Sequence, residues 1–140
     1  AGGRLTVSTA ELTHSGQSVP LDDFMGIPVV TARVGGGDYR LFFDTGAPLS
    51  YLSEGCVQGC TALGEVEDFH PLLGRFRVPT FSVPMQAWGQ RMNVRAGQMP
   101  TLLEAALSLG GADGILGTEV LQHGVLRLSQ RQGRAALLMN

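Results

Sequence analysis

The segment LFFDTGAPLSYL, residues 41–52, places a single carboxylate between an apolar run and a glycine. Upstream of it, residues 29–34 have the composition of a strand, residues 35–38 that of a hairpin turn, and residues 39–43 that of the returning strand. Asp44 is therefore expected where a strand ends. From the tripeptide Asp-Thr-Gly alone, the simpler interpretation is a turn residue whose side chain accepts hydrogen bonds from nearby N–H groups.

The rest of the chain predicts a mainly β protein. The 20 glycines and 7 prolines separate short apolar runs rich in Val, Leu and Phe, which is typical of short strands joined by tight turns. Further hairpin tips are expected at residues 70–74, 88–90 and 130–133. We expect a helix at residues 101–109, starting with a capping box, and a shorter helix after Ile115-Leu116-Gly117 with Thr118 as its N-cap.

Length and composition fit one domain. The 140 residues, 44% of them hydrophobic and 16% charged, allow a single core. We expect the domain at residues 27–140, after an N-terminal extension at residues 1–26. In this extension, residues 4–12 have the alternation of a strand and residues 13–23 the composition of a loop or linker. No apolar run approaches the roughly 20 residues that cross a bilayer, so no membrane span is expected in this chain.

Charge and metal-ligand patterns argue against two classes of function. The net charge is −2, and the 10 basic residues are scattered arginines, which argues against a nucleic-acid partner. The 2 cysteines, Cys56 and Cys60, have no nearby histidine to complete a structural metal site, so we expect no metal and no cofactor. The cysteines themselves fit either a small disulfide loop or two unpaired thiols.

Two motifs, taken together, resemble the retropepsin-like aspartic proteases. The first is hydrophobic-hydrophobic-Asp-Thr-Gly-Ala-x-x-Ser around Asp44, and the second is Ile115-Leu116-Gly117, which follows in the order found in that family. The resemblance implies a mainly β, single-lobe closed barrel with short helices. It also implies that Asp44 is catalytic, that Thr45 makes hydrogen bonds across a subunit interface, and that Gly46 permits the turn.

The same resemblance assigns roles to two further segments. Ile115, Leu116 and Gly117 would run beneath the catalytic acid. The hairpin tip after residue 70 falls where a flap would cover the substrate, and its residues are Pro71, Leu72, Leu73 and Gly74. The substrate would be a protein or peptide.

An aspartic protease needs two carboxylates that share one proton and activate a water. The chain has one Asp-Thr-Gly, so the second carboxylate would come from Asp44 of another copy in a two-fold homodimer. Asp113 lies in a glycine-flanked turn, where a structural role is expected. Two alternatives stay open: a non-catalytic binding or assembly module with the retropepsin fold, and one half of a longer two-lobed protease.

A likeness to pepsin concerns the cysteines and the cellular location. Pepsin has a small disulfide loop shortly after its first catalytic motif, and Cys56 and Cys60 follow Asp44 at a similar place. This resemblance implies a Cys56–Cys60 disulfide and hence a secreted, periplasmic or other extracytoplasmic location.

Overall fold

The computed structural model describes residues 4–8 and 18–139. The secondary structure is mainly β, with 56% strand and 14% helix. The strands are β1 Val19–Pro20, β2 Asp22–Phe24, β3 Ile27–Val34, β4 Gly37–Phe43, β5 Ser50–Leu52, β6 Thr61–His70, β7 Gly74–Ala87, β8 Gln90–Gln98, β9 Gly114–Leu116, β10 Gly124–Ser129 and β11 Arg134–Met139. The helices are α1 Glu54–Val57, α2 Thr101–Leu109 and a 3-10 helix at Thr118–His123.

Six strands close into a barrel, which confirms the predicted mainly β closed barrel with short helices. The larger sheet has the order β2-β3-β4-β9-β5-β8-β7-β6, and an additional pairing of β3 with β7 at Arg33 and Gln86 closes the ring. Strands β2 and β6 lie outside this ring at the two ends of the sheet. A separate sheet has the order β1-β11-β10.

The barrel interior is filled by apolar side chains that alternate along its strands. In β3, Val30, Ala32 and Val34 are buried while the residues between them face outward. Parts of β4, β7 and β8 follow the same period of two, which is what a sheet with one buried face requires. Leu41 and Leu116 are fully buried, and burial of such a side chain contributes about 1.5–3 kcal/mol.

A second apolar cluster lies apart from the barrel interior. Its buried members are Leu49, Tyr51, Val78, Met99, Leu103 and Ile115, and the partly buried Ala47, Val66, Leu73, Phe76 and Leu107 pack against it. It joins residues that follow Asp44 in the chain to residues of the β6–β7 hairpin and of helix α2.

The predicted hairpins are present, and one of their tips is folded inward. The β7–β8 turn has positive φ at both Trp88 (50°) and Gly89 (76°), the backbone of a type I′ turn. Trp88 is only 3% exposed and its ring packs edge to face against Phe43 at a centroid distance of 5.5 Å. Tryptophan is unfavourable at positive φ, and this packing on the end of β4 offsets the cost.

The helix predictions hold for position but not for capping. Helix α2 occupies the predicted residues, yet its N-cap is Pro100 and no side chain caps it, because Thr101 is already the first helical residue. The capping box is therefore wrong. The 3-10 helix likewise has Gly117, not Thr118, at its N-cap. None of the helices within the described ranges is long and apolar enough to cross a membrane.

The extension before residue 27 has short paired strands where a linker was one expectation. β1 pairs with β11, and β2 pairs with β3. Residues 4–8 have no strand, and the remainder of the strand expected at residues 4–12 lies outside the described residues.

Candidate functional site

The loop that starts at Asp44 presents its carboxylate to solvent. Asp44, Thr45 and Gly46 are all exposed, directly after the buried Phe43. The Gly46 N–H donates to Asp44 Oδ1 at 2.8 Å, and the Ala47 N–H donates to the Asp44 carbonyl at 3.2 Å. The loop backbone thus orients the carboxylate without covering it, as the turn chemistry of Asp predicts.

A Cβ at Gly46 would lie 3.3 Å from Asp44 Oδ1. That contact is tight, so a larger residue at Gly46 would press on the carboxylate. The structure thus brings Asp44 and Gly46 into direct contact, whereas Thr45 makes no hydrogen bond that the structure records within the described chain.

Strand β9 runs beside this loop, between β4 and β5. It pairs in parallel with β4, where Phe43 lies opposite Leu116. It pairs antiparallel with β5, where Tyr51 lies opposite Ile115. The Asp44 N–H continues the ladder by donating to the Leu116 carbonyl at 3.0 Å. The structure therefore brings the two sequence motifs together.

Gly117 brings two backbone segments closer than any side chain would allow. A Cβ at this position would lie 2.7 Å from the Ala47 carbonyl oxygen and 2.7 Å from the Leu49 carbonyl carbon and oxygen. The Gly117 N–H donates to the buried Ser50 Oγ at 2.9 Å. The Thr118 N–H and hydroxyl both donate to the Ala47 carbonyl, at 2.8 and 3.3 Å. Gly117 and Thr118 therefore hold the loop after Asp44 from one side, through close backbone packing and hydrogen bonds.

Asp113 has a structural position beside β4. Its carboxylate accepts the Arg40 N–H at 2.8 Å, and its own N–H donates to the Arg40 carbonyl at 2.7 Å. These bonds fix the chain that leads into β9.

The β6–β7 hairpin projects beyond the barrel as an arm, which we define as residues 65–79. Its backbone pairs run from Glu65 opposite Pro79 to His70 opposite Gly74, whereas β7 first pairs with β8 at Thr80. At the tip, the Leu73 N–H donates to the His70 carbonyl at 2.9 Å. The expected flap residues lie at this tip: Pro71 and Leu72 are exposed, and Leu73 and Gly74 are partly buried.

The inner face of the arm packs against the surface beside Asp44. Leu73 and Phe76 belong to the second apolar cluster, which also contains Ala47 and Leu49 of the loop that follows Asp44. The structure thus places the expected flap hairpin next to the expected catalytic loop.

A polar contact that the sequence analysis did not predict joins the arm to β5. The buried Tyr51 hydroxyl donates to the carboxylate of Asp68 on β6. Burial, reinforced by this hydrogen bond, raises the pKa of the Tyr51 phenol, which therefore stays protonated. The available signal was the period of two in β6, where Val66, Asp68 and His70 share the inward face and Asp68 is the acid among them.

The predicted disulfide is wrong, because Cys56 and Cys60 are free thiols. Helix α1 directs Cys56 into the core, where it is 7% exposed. Gly59, at φ 81°, then turns the chain so that the Cys60 sulfur lies 3.7 Å from the Cys56 carbonyl oxygen instead of meeting the Cys56 sulfur. The argument for an extracytoplasmic location that rested on this bridge has no support in the structure.

Metal ligands and comparisons give no further assignment. Within residues 4–8 and 18–139, no group of three or more His, Cys, Asp or Glu side chains could hold a metal ion. Comparison of the chain with protein-family models and with the curated proteins finds no match.

Proposed function

We propose that this protein is an aspartic endopeptidase whose active form is a homodimer. One observation supports it above the others: the solvent-facing Asp44 carboxylate stands at the end of a buried strand on a loop clamped by Gly117 and its neighbours. An exposed acid on a rigid backbone suits a site completed by a second molecule. The resemblance of both motifs to the retropepsin-like proteases supports the same proposal.

Two Asp44 carboxylates brought within a few ångström of each other would hold one proton between them. The ionised carboxylate takes a proton from a bound water as that water attacks the peptide carbonyl. The protonated carboxylate hydrogen-bonds the carbonyl oxygen and stabilises the developing charge. Collapse of the tetrahedral intermediate breaks the C–N bond, and a proton passes to the departing amine. No covalent intermediate and no cofactor is required.

The substrate class follows from the shape of the arm. An extended peptide would lie between the β6–β7 arm and the Asp44 loop, with its backbone pairing to neighbouring strands by strand addition. The apolar side chains of Leu73, Phe76 and Ala47 line the adjoining surface, so apolar residues next to the cleaved bond would fit best.

A second candidate is a non-catalytic binding or assembly module that keeps this fold as a monomer. It is favoured by the presence of one Asp-Thr-Gly in the 140 residues, because one carboxylate cannot form the pair. A further form of the first proposal is that this domain is one half of a longer two-lobed protease, whose other half would supply the second acid.

The test is peptide-library cleavage by the wild type and by Asp44→Asn, over a range of pH and enzyme concentration. The wild-type rate should rise faster than linearly with enzyme concentration while dimers are forming, and Asp44→Asn should lose cleavage but keep its fold. Asp38→Asn is the matched control, since Asp38 is also exposed and its carboxylate pairs with the exposed Arg33 at 3.6 Å. Equal activity of the Asp44→Asn protein would refute the assignment. A wild type that stays monomeric in sedimentation and cuts no peptide would favour the binding module.

A further inference from the structure

The arm is connected to the barrel mainly at its root. Its recorded backbone pairing is between its own two strands, as β6 lies at the end of the sheet and β7 reaches β8 only from Thr80 onward. At its root the register shifts between Ala62 and Gly64, and Gly64 has φ 91° with open space around the position of a Cβ. A β-bulge at a glycine is where a strand pair bends most easily.

Side chains therefore hold the arm in its observed place. One of these side-chain contacts is polar, namely the hydrogen bond that Tyr51 on β5 donates to Asp68 on β6. The Tyr51 ring also meets Phe76 of β7 edge to face, at 5.9 Å and 62° between ring planes. Space for this ring comes from Gly97, where a Cβ would lie 2.8 Å from the Tyr51 ring.

The closed arm covers the apolar surface beside Asp44. Leu73 and Phe76 on the arm and Ala47 beside Asp44 share the second apolar cluster. A peptide that is to reach this surface has to displace the arm, and displacing the arm separates Tyr51 from Asp68. Peptide entry is therefore opposed by the free energy of that hydrogen bond, which has to break when the arm opens.

We propose that Tyr51 and Asp68 form a latch that holds the β6–β7 arm closed over the Asp44 loop, so that they limit substrate capture without taking part in the chemistry. This inference rests on the proposed function of Asp44. Tyr51 and Asp68 are positioning residues, because they act on the substrate only through the arm. Burial raises the pKa of the Tyr51 phenol, so the hydroxyl keeps the proton that it donates to Asp68 at neutral pH.

The first test is Tyr51→Phe, which removes the donor and keeps the ring. A hydrogen bond to a charged group is lost, so the open arm should become about tenfold more populated. We expect kcat/KM toward a good peptide to rise about tenfold with kcat unchanged, and the NMR cross-peaks between the rings at positions 51 and 76 to weaken. The matched control is Tyr39→Phe, at the other tyrosine of the chain, which is also partly buried and lies in β4; it should match the wild type in both readouts.

The second test assigns the effect to the pair. Asp68→Ala should reproduce Tyr51→Phe, the double variant should show no further change, and Asp68→Asn should restore much of the wild-type behaviour, because its amide oxygen still accepts the phenol. Additive effects of the two single variants would overturn the latch, and so would unchanged ring cross-peaks in both. A fall in kcat would identify a merely structural tyrosine. If Tyr51→Phe does not fold, the Asp68 variants decide alone.

The NMR readout also separates the two proposals. If no peptide is cleaved yet the cross-peaks weaken in Tyr51→Phe and not in Tyr39→Phe, the latch exists and the proposed protease function is wrong. If peptides are cleaved and neither readout changes, the protease function stands and the latch is refuted.

Discussion

Gly117 provides the sharpest test of how the Asp44 loop is held. In Gly117→Ala, the added methyl group would lie 2.7 Å from the Ala47 carbonyl oxygen and from the Leu49 carbonyl. These are backbone atoms, so no side-chain rotation relieves the contact. Either the loop after Asp44 or strand β9 has to move.

The expected cost combines two effects. Overpacking of a filled interior costs about 1–3 kcal/mol. Movement of Gly117 also stretches the 2.9 Å bond from its N–H to Ser50 Oγ, and loss of a hydrogen bond costs about 0.5–1.5 kcal/mol. We therefore expect Gly117→Ala to lower the free energy of unfolding by about 2–4 kcal/mol, a large share of the roughly 5–15 kcal/mol that holds a typical domain together.

Urea unfolding followed by the fluorescence of Trp88, the single tryptophan, measures this loss. The midpoint should fall while the m-value stays constant. Gly55→Ala is the matched control: Gly55 lies in helix α1 with nothing within 4 Å of the position of its Cβ, and alanine in a helix is favoured over glycine by about 1 kcal/mol. If Gly117→Ala proves as stable as Gly55→Ala, the close approach of the two segments is refuted.

Further predictions concern buried groups and can be checked by unfolding and thiol titration. Ser50→Ala leaves the N–H of Gly117 buried and unpaired, so the free energy of unfolding should fall by about 1–3 kcal/mol, and an unchanged urea midpoint would contradict this. Trp88→Phe should cost less than the roughly 3 kcal/mol or more of a large core truncation, since the buried Nε1 of Trp88 has no hydrogen-bond partner among the described residues; thermal unfolding followed by circular dichroism checks it. Without reductant, a thiol reagent should count both cysteines in urea but react quickly only with Cys60 in the native protein, because Cys56 is buried; a count of zero in urea would restore the disulfide.

The parts of the fold that the sequence predicted are those set by local chemistry. Glycine-containing turns between apolar strand-like runs predicted the β3–β4, β6–β7, β7–β8 and β10–β11 hairpins. Apolar residues at helical spacing predicted helix α2. The end of β4 at Asp44 followed from the change of an apolar run into Asp-Thr-Gly. Neither turn chemistry nor apolar spacing predicted the pairing of β4 with β9. Only the family resemblance suggested that Ile115 to Gly117 lie near Asp44.

The parts that the sequence did not predict depend on the direction of side chains across long separations. Closure of the barrel joins Arg33 to Gln86, a contact with no local signature. The failure at the cysteines has a local cause: Cys56 lies in helix α1, whereas Cys60 follows the turn at Gly59 (φ 81°), and the spacing of the two residues alone does not reveal this turn. Asp68 lies in a strand whose exposure alternates and Tyr51 in one that is buried throughout, and neither pattern predicts that these two side chains meet.

The glycines of the candidate site fall into two groups. In the barrel, Gly97, Gly114 and Gly117 are required because a Cβ would come within 2.8 Å of a neighbour, so these positions set distances between packed segments. Gly64 and Gly74, at the root and tip of the arm, have positive φ and open space around the position of a Cβ, so they set backbone direction. For the proposed peptide hydrolysis, an acid on the packed part and a cover on the arm would suit the reaction, because the reacting groups must stay in place while the chain to be cut enters and leaves.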